Sequence, residues 1–130
     1  MIDALVIFED RNTHPLGHWL KPGFRHVWCA VLDERAHSWV GHNLRIDGYV
    51  TSALAAADYP LINYLEEEGC KVMPITRQPT LRGGPILLNN CVGLTKLICN
   101  IQSAAVTPWQ LYRHLARAAE GEIPCTSVPT

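Results

Sequence analysis

The sequence predicts a single α+β domain, a small antiparallel sheet packed against helices, over residues 1–120 with a tail at 121–130. Three observations carry the prediction. Three strand-like apolar runs fall within the first 46 residues, two helix starts are each led by a cap residue and a proline, and a further apolar-periodic run opens at Cys91.

Ala4 to Phe8 is a continuous apolar run closed by Glu9-Asp10, the pattern of a buried strand. Arg11 to Gly23 holds Pro15, Gly17, Pro22 and Gly23, which makes it a loop. Arg25 to Leu32 is rich in Val and Trp and reads as a second strand. The polar connection 33–37 leads to Ser38–Ile46, the expected hairpin partner, and Asp47-Gly48 is a further turn signal. Tyr49 to Ala57 carries two signals: its alanines favour helix, whereas Tyr49-Val50-Thr51 favours an extended start. Asp58 with Pro60 predicts a capped helix over 58–68, ended by Gly69. Lys71–Ile75 is a short strand, and 78–85, with Pro79, Gly83, Gly84 and Pro85, is a loop. Cys91–Ile101 is helical from its spacing of Val92, Leu94, Leu97, Ile98 and Ile101. Thr107-Pro108 starts a last helix reaching Ala119. The expected order is therefore strand, strand, strand, helix, strand, helix, helix.

A chain of 130 residues can bury a core without disulfide or metal staples. At 48% hydrophobic and 18% charged it is not wholesale disordered. A net charge of −1 offers neither a nucleic-acid footprint nor a polybasic membrane patch. No apolar run reaches the ~18 residues of a spanning helix, and Asp3 with no basic segment argues against a secretory signal. Five cysteines, an odd number without a C-x-x-C pair, suggest neither a disulfide framework nor a zinc ribbon. Reduced thiols in a cytoplasm, with no cofactor, are the expectation.

Cys91 follows the polar turn Asn89-Asn90 and opens a helix. A cysteine is nucleophilic as thiolate, and a helix N-terminus and a neighbouring imidazolium both stabilise that charge. Backbone N–H groups at the same helix start can also hold an oxyanion. Against this stands the commonest fate of a free cysteine, a small buried residue. The other cysteines are worse placed: Cys29 in a core strand, Cys70 after a helix-ending glycine, Cys99 in mid-helix and Cys125 in the tail. His26, at the start of the second strand, is the candidate base; its bland alternative is an inert, hydrogen-bonded strand-end histidine. A third group must orient the imidazole. Asn43, on the same strand face as Trp39 and Gly41, is the first choice, with His37 and Asp47 as substitutes. Each of the three taken alone reads as a hairpin surface residue.

Arg25-His26-Val27-Trp28, followed much later by Asn90-Cys91-Val92, resembles the circularly permuted papain-like cysteine peptidases, the circle around the NlpC-like cell-wall endopeptidases and the lecithin–retinol acyltransferases. Trp39 with Asn43, and Thr107-Pro108-Trp109-Gln110-Leu111-Tyr112, are similar to small phage-type proteins of this kind. The resemblance covers about residues 23–115. It implies a permuted papain-like arrangement, with the histidine hairpin preceding the cysteine helix. It implies Cys91 as nucleophile, His26 as base and Asn43 as orienting residue. One departure concerns the third role: many members carry a polar residue, often histidine, where this chain has Ser38. The implied function is a thiol hydrolase cleaving an amide bond by acyl transfer, a phage-encoded peptidase or a peptidoglycan amidase or endopeptidase. The implied partner is a peptide or peptidoglycan-type substrate, met in a host cell or virion.

Three rival readings stand beside it. The fold serves as a non-catalytic phage structural or assembly module, binding phage structural proteins. It serves as a lipid acyltransferase, which would want an apolar patch or anchor that the sequence does not display. Or His14-x-x-x-His18, with His26, His37 and His42, holds a metal; Pro15 and Gly17 argue against the helix that this spacing needs, and no metal is the expectation. In the hydrolase reading, Trp19 and Trp28 are candidates for an apolar substrate wall, although core packing suits Trp28 better.

Overall fold

The structure, a computed structural model, describes residues 2–11, 20–45, 48–77, 91–101 and 103–120. Among them run β1 (Ala4–Glu9), β2 (His26–Asp33), β3 (Ser38–Arg45), β4 (Gly48–Ala56), α1 (Leu61–Glu67), β5 (Lys71–Ile75), α2 (Cys91–Cys99) and α3 (Pro108–Ala119). The strands form one antiparallel sheet in the order β4-β3-β2-β1-β5. The expected α+β class is therefore what forms, with one strand more than the sequence order predicts.

That extra strand is β4, the segment with mixed signals. Its alanines do not make a helix, because from Gly48 (φ +133°) the chain runs alongside β3, and pairing with β3 overrides propensity.

β1 reads as unbroken apolar sequence because both its faces are covered. Ala4, Val6 and Phe8 pack with Val27 and Cys29 of β2, Val92 and Cys99 of α2, and Leu111 and Leu115 of α3. Leu5 and Ile7 pack on the other face with Ala30, Trp39, Val72 and α1 residues Leu61 and Leu65. Fully burying a side chain such as Leu111 or Phe8 contributes about 1.5–3 kcal/mol, so this central strand between two apolar layers anchors the fold.

The helix ends follow local chemistry. Thr107 caps α3: its Oγ1 accepts from the Gln110 amide, while the Gln110 side chain accepts from the Thr107 amide. α1 starts later than predicted, at Leu61, and Asp58 is not its cap. Its C-terminus is closed by Gly69 at φ +93°, with Gly69 N–H donating to Glu66 O and Cys70 N–H to Leu65 O. α2 stops two residues before the predicted Ile101. There Asn100 takes φ +61°, its amide bonds Leu97 O, and the Ile101 amide bonds Lys96 O. Asparagine tolerates this left-handed conformation and so ends the helix as glycine would. No helix among the described residues is long and apolar enough to cross a membrane.

Candidate active site

The site grows from a fork in the sheet. β2 and β3 pair from Asp33↔Ser38 to Cys29↔His42. Beyond that rung β2 stays with β1 as far as Glu9↔His26, and β3 stays with β4 through Asn43↔Val50 to Arg45↔Gly48. The first residues of β2 and the last of β3 therefore part. Leu32 N–H donates to Asp3 O on β1, so even-numbered β2 amides face β1 and odd-numbered ones face β3. The Val27 amide thus points into the fork, where β3 no longer receives it.

Cys91 takes that donor. It is the first residue of α2, which packs across β2 and β3, and its sulfur receives the backbone amides of Val27, Cys91 and Val92. Burial is the larger influence and pushes the thiol above its ordinary value, while the three amides pull the other way. The resting form is a thiol in a place already furnished with donors for a negative charge.

His26 and Asn43 bridge the same fork. His26 is 1% exposed, and its Nε2 lies 2.6 Å from Asn43 Oδ1. An amide oxygen only accepts, so Nε2 carries a proton and donates. Asn43 sits diagonally across from His26 in the extrapolated register, within reach for a long side chain. Asn43 thereby holds the orientation of the His26 ring.

The segment entering His26 is clamped. Asp10, just after β1, accepts from the Gly23 amide at 2.6 Å and from Arg25 Nη1 at 2.8 Å. Gly23 stands at φ +89°, a conformation that suits glycine. Phe24 then packs edge-on against Trp109 (ring centroids 4.8 Å apart), and it also meets Tyr112 and Phe8. Sequence reading missed both Asp10 and this aromatic wall. Neither has a local signal, since Asp10 meets residues 13 and 15 positions away and Phe24 meets α3.

The remaining candidates are scattered. His37 lies in the β2–β3 turn at φ +51°, exposed, while His26 begins the strand that leads to that turn. A strand of eight residues spans ~25 Å, so His37 is at the wrong end of the hairpin to orient the imidazole. Asp47, His14, His18, Trp19, Asn89, Asn90 and Cys125 lie outside the described residues. Trp28 packs against the α1-side core, away from α2. His42 bonds Tyr49 Oη through Nδ1 and stacks on that ring; burial first, then the Arg77 charge, lowers its pKa. Among the described residues no three His, Cys, Asp or Glu side chains group as metal ligands.

The fork thus brings Cys91 to Val27, the residue after His26, and brings His26 to Asn43. A thiol, amide donors, and an imidazole oriented by an amide oxygen are components that acyl transfer uses. No family model, no curated protein and no solved structure matches this chain.

Proposed function

We propose that the protein is a thiol hydrolase that cleaves an amide bond by Cys-His acyl transfer, on a peptide or peptidoglycan-type substrate, in a permuted papain-like arrangement. The observation that carries the reading is the Val27 amide, from the residue after His26, which favours the Cys91 thiolate against burial; the His26–Asn43 hydrogen bond supports it. His26 Nδ1 takes the thiol proton as Sγ attacks the carbonyl carbon. The C–N bond breaks, the leaving amine takes the proton back, and water then hydrolyses the thioester to acid and free thiol. The Cys91 amide at the start of α2 stabilises the oxyanion, and Asn43 keeps the imidazole in register.

The mechanism makes one demand on the fork. By strand alternation His26 belongs with Trp28 and Ala30, on the α1 side of the sheet, whereas Cys91 packs with Val27 and Cys29 on the other. Nδ1 must therefore meet the sulfur round the end of β2.

Iodoacetamide labelling of Cys91 against pH tests this in the intact chain and in His26→Ala. The expected result is a slower rate and a higher apparent pKa in the variant. An unchanged rate and pKa would sink the dyad.

A second reading, a non-catalytic phage structural or assembly module on the same fold, draws on one observation: burial lifts the Cys91 thiol above its ordinary value, the mark of an inert cysteine. It expects Cys91 to label no faster than an exposed thiol, with or without His26.

A further inference from the structure

The two edges of the sheet are built differently. β5, at one edge, is five residues long and carries Lys71 and Pro74, a charge and a proline of the kind that discourage pairing with another chain. β4, at the other edge, is nine residues long with the sequence Gly-Tyr-Val-Thr-Ser-Ala-Leu-Ala-Ala, and holds neither. Residues 49–54 are all exposed, so neither layer of helices covers either face of the strand there. Tyr49 (51%), Val50 (39%) and Leu54 (37%) are among the most exposed large apolar residues. The one irregularity lies toward the strand's end: Trp39 pairs with Ala55 and Val40 with Ala53, which leaves Leu54 as a bulge. Gly48–Ala53 remains regular, an open, uncharged run.

We infer that β4 is a dimerisation edge, pairing antiparallel with β4 of a second copy of this chain about a two-fold axis at Thr51. The register is self-complementary. Tyr49 of each copy stands opposite Ala53 of the other, ring against methyl, Val50 stands opposite Ser52, and the two Thr51 side chains meet on the axis. Thr–Thr pairs and aromatic contacts of this sort stabilise neighbouring strands. An uncharged strand meets its own copy without like-charge repulsion, which a random exposed edge would not do. Assembly also ends at two. Once the β4 strands pair, the outer edges of the ten-stranded sheet are both β5, with their lysine and proline. A contact of this length falls below the ~1,200 Å² of a standard interface, so the dimer is reversible and concentration-dependent.

Sedimentation velocity on the full chain over a wide concentration range reads the association directly. The expected result is a mass that rises from 14.5 kDa toward twice that value. Thr51→Lys places two ammonium groups on the axis and weakens dimerisation at least about tenfold, and Thr51→Glu does the same with carboxylates. An equimolar mixture of the two variants regains the dimer, because opposite charges then face each other. Unchanged circular dichroism spectra show that both variants fold; Ser52→Lys serves in place of Thr51→Lys, and Ser52→Glu in place of Thr51→Glu, where either does not. A chain that stays monomeric at every concentration overturns the inference. So does a dimer that both single variants leave intact.

Discussion

α2 carries a cysteine at each end, and the two thiols show what position along a helix does to one side chain. Cys91, the first residue, has three backbone amides directed at its sulfur. Cys99, the last, is wholly enclosed in the core, and a hydrogen bond to Cys29 and then burial hold it firmly protonated. Both thiols are raised, yet at Cys91 the amides work against burial. Helix N–H groups are unsatisfied only at the N-terminus, so only there does a cysteine find donors ready for a thiolate. Cys99 is core; Cys91 is a core-like residue placed where charge can be received.

Serine at each position separates the two roles by the largest margin. Cys99→Ser puts a hydroxyl into a packed site beside Cys29 and is expected to cost about 2–3 kcal/mol in urea unfolding. Cys91→Ser, at the half-buried helix start with amides to meet its oxygen, is expected to cost within about 1 kcal/mol. Equal losses would make Cys91 merely another core residue.

Next in size is the group behind the base. Asn43→Ala removes the acceptor of a buried imidazole proton and is expected to cost about 1–2 kcal/mol. It also frees the ring's orientation, so Cys91 alkylation slows in the same protein. A loss of stability with no change in Cys91 reactivity would detach Asn43 from the thiol.

The smallest effect is in alkaline solution. Both folded thiols sit above the ordinary value of 9.0, so above about pH 9 the native state binds more protons than the unfolded chain. Their contribution to stability is fully present below that pH and declines as pH rises past it. Cys99→Ala removes one of these contributions, so its stability falls less steeply between pH 9 and 10.5 than that of the parent chain, about the range in which thiols titrate. Parallel curves would show that Cys99 contributes nothing to the alkaline loss.

Much of the fold was legible from local pattern. The run Ala4–Phe8, the hairpin partner beginning at Ser38 and the Thr107-Pro108 helix start all lie where their residues indicate. β4 was not legible, because alanine-rich sequence becomes strand only when a neighbouring strand offers hydrogen bonds. Nor was the end of α2, since Asn100 competes with the apolar periodicity that runs on to Ile101. At the site, side-chain alternation singles out Asn43. The Val27 amide and the Asp10 clamp carry no sequence signal, because one is backbone and the other joins residues far apart in the chain.

The sequence by itself determined which residues are candidates for chemistry and where the local elements begin, because caps, prolines and apolar spacing act over a few residues. Only the tertiary structure decided that β2 and β3 part beyond Cys29↔His42. That parting leaves the Val27 amide for the Cys91 sulfur and lets Asn43 Oδ1 accept a hydrogen bond from His26 Nε2. Where two strands separate depends on which neighbour holds each one, β1 for β2 and β4 for β3, and no stretch of either strand contains that information.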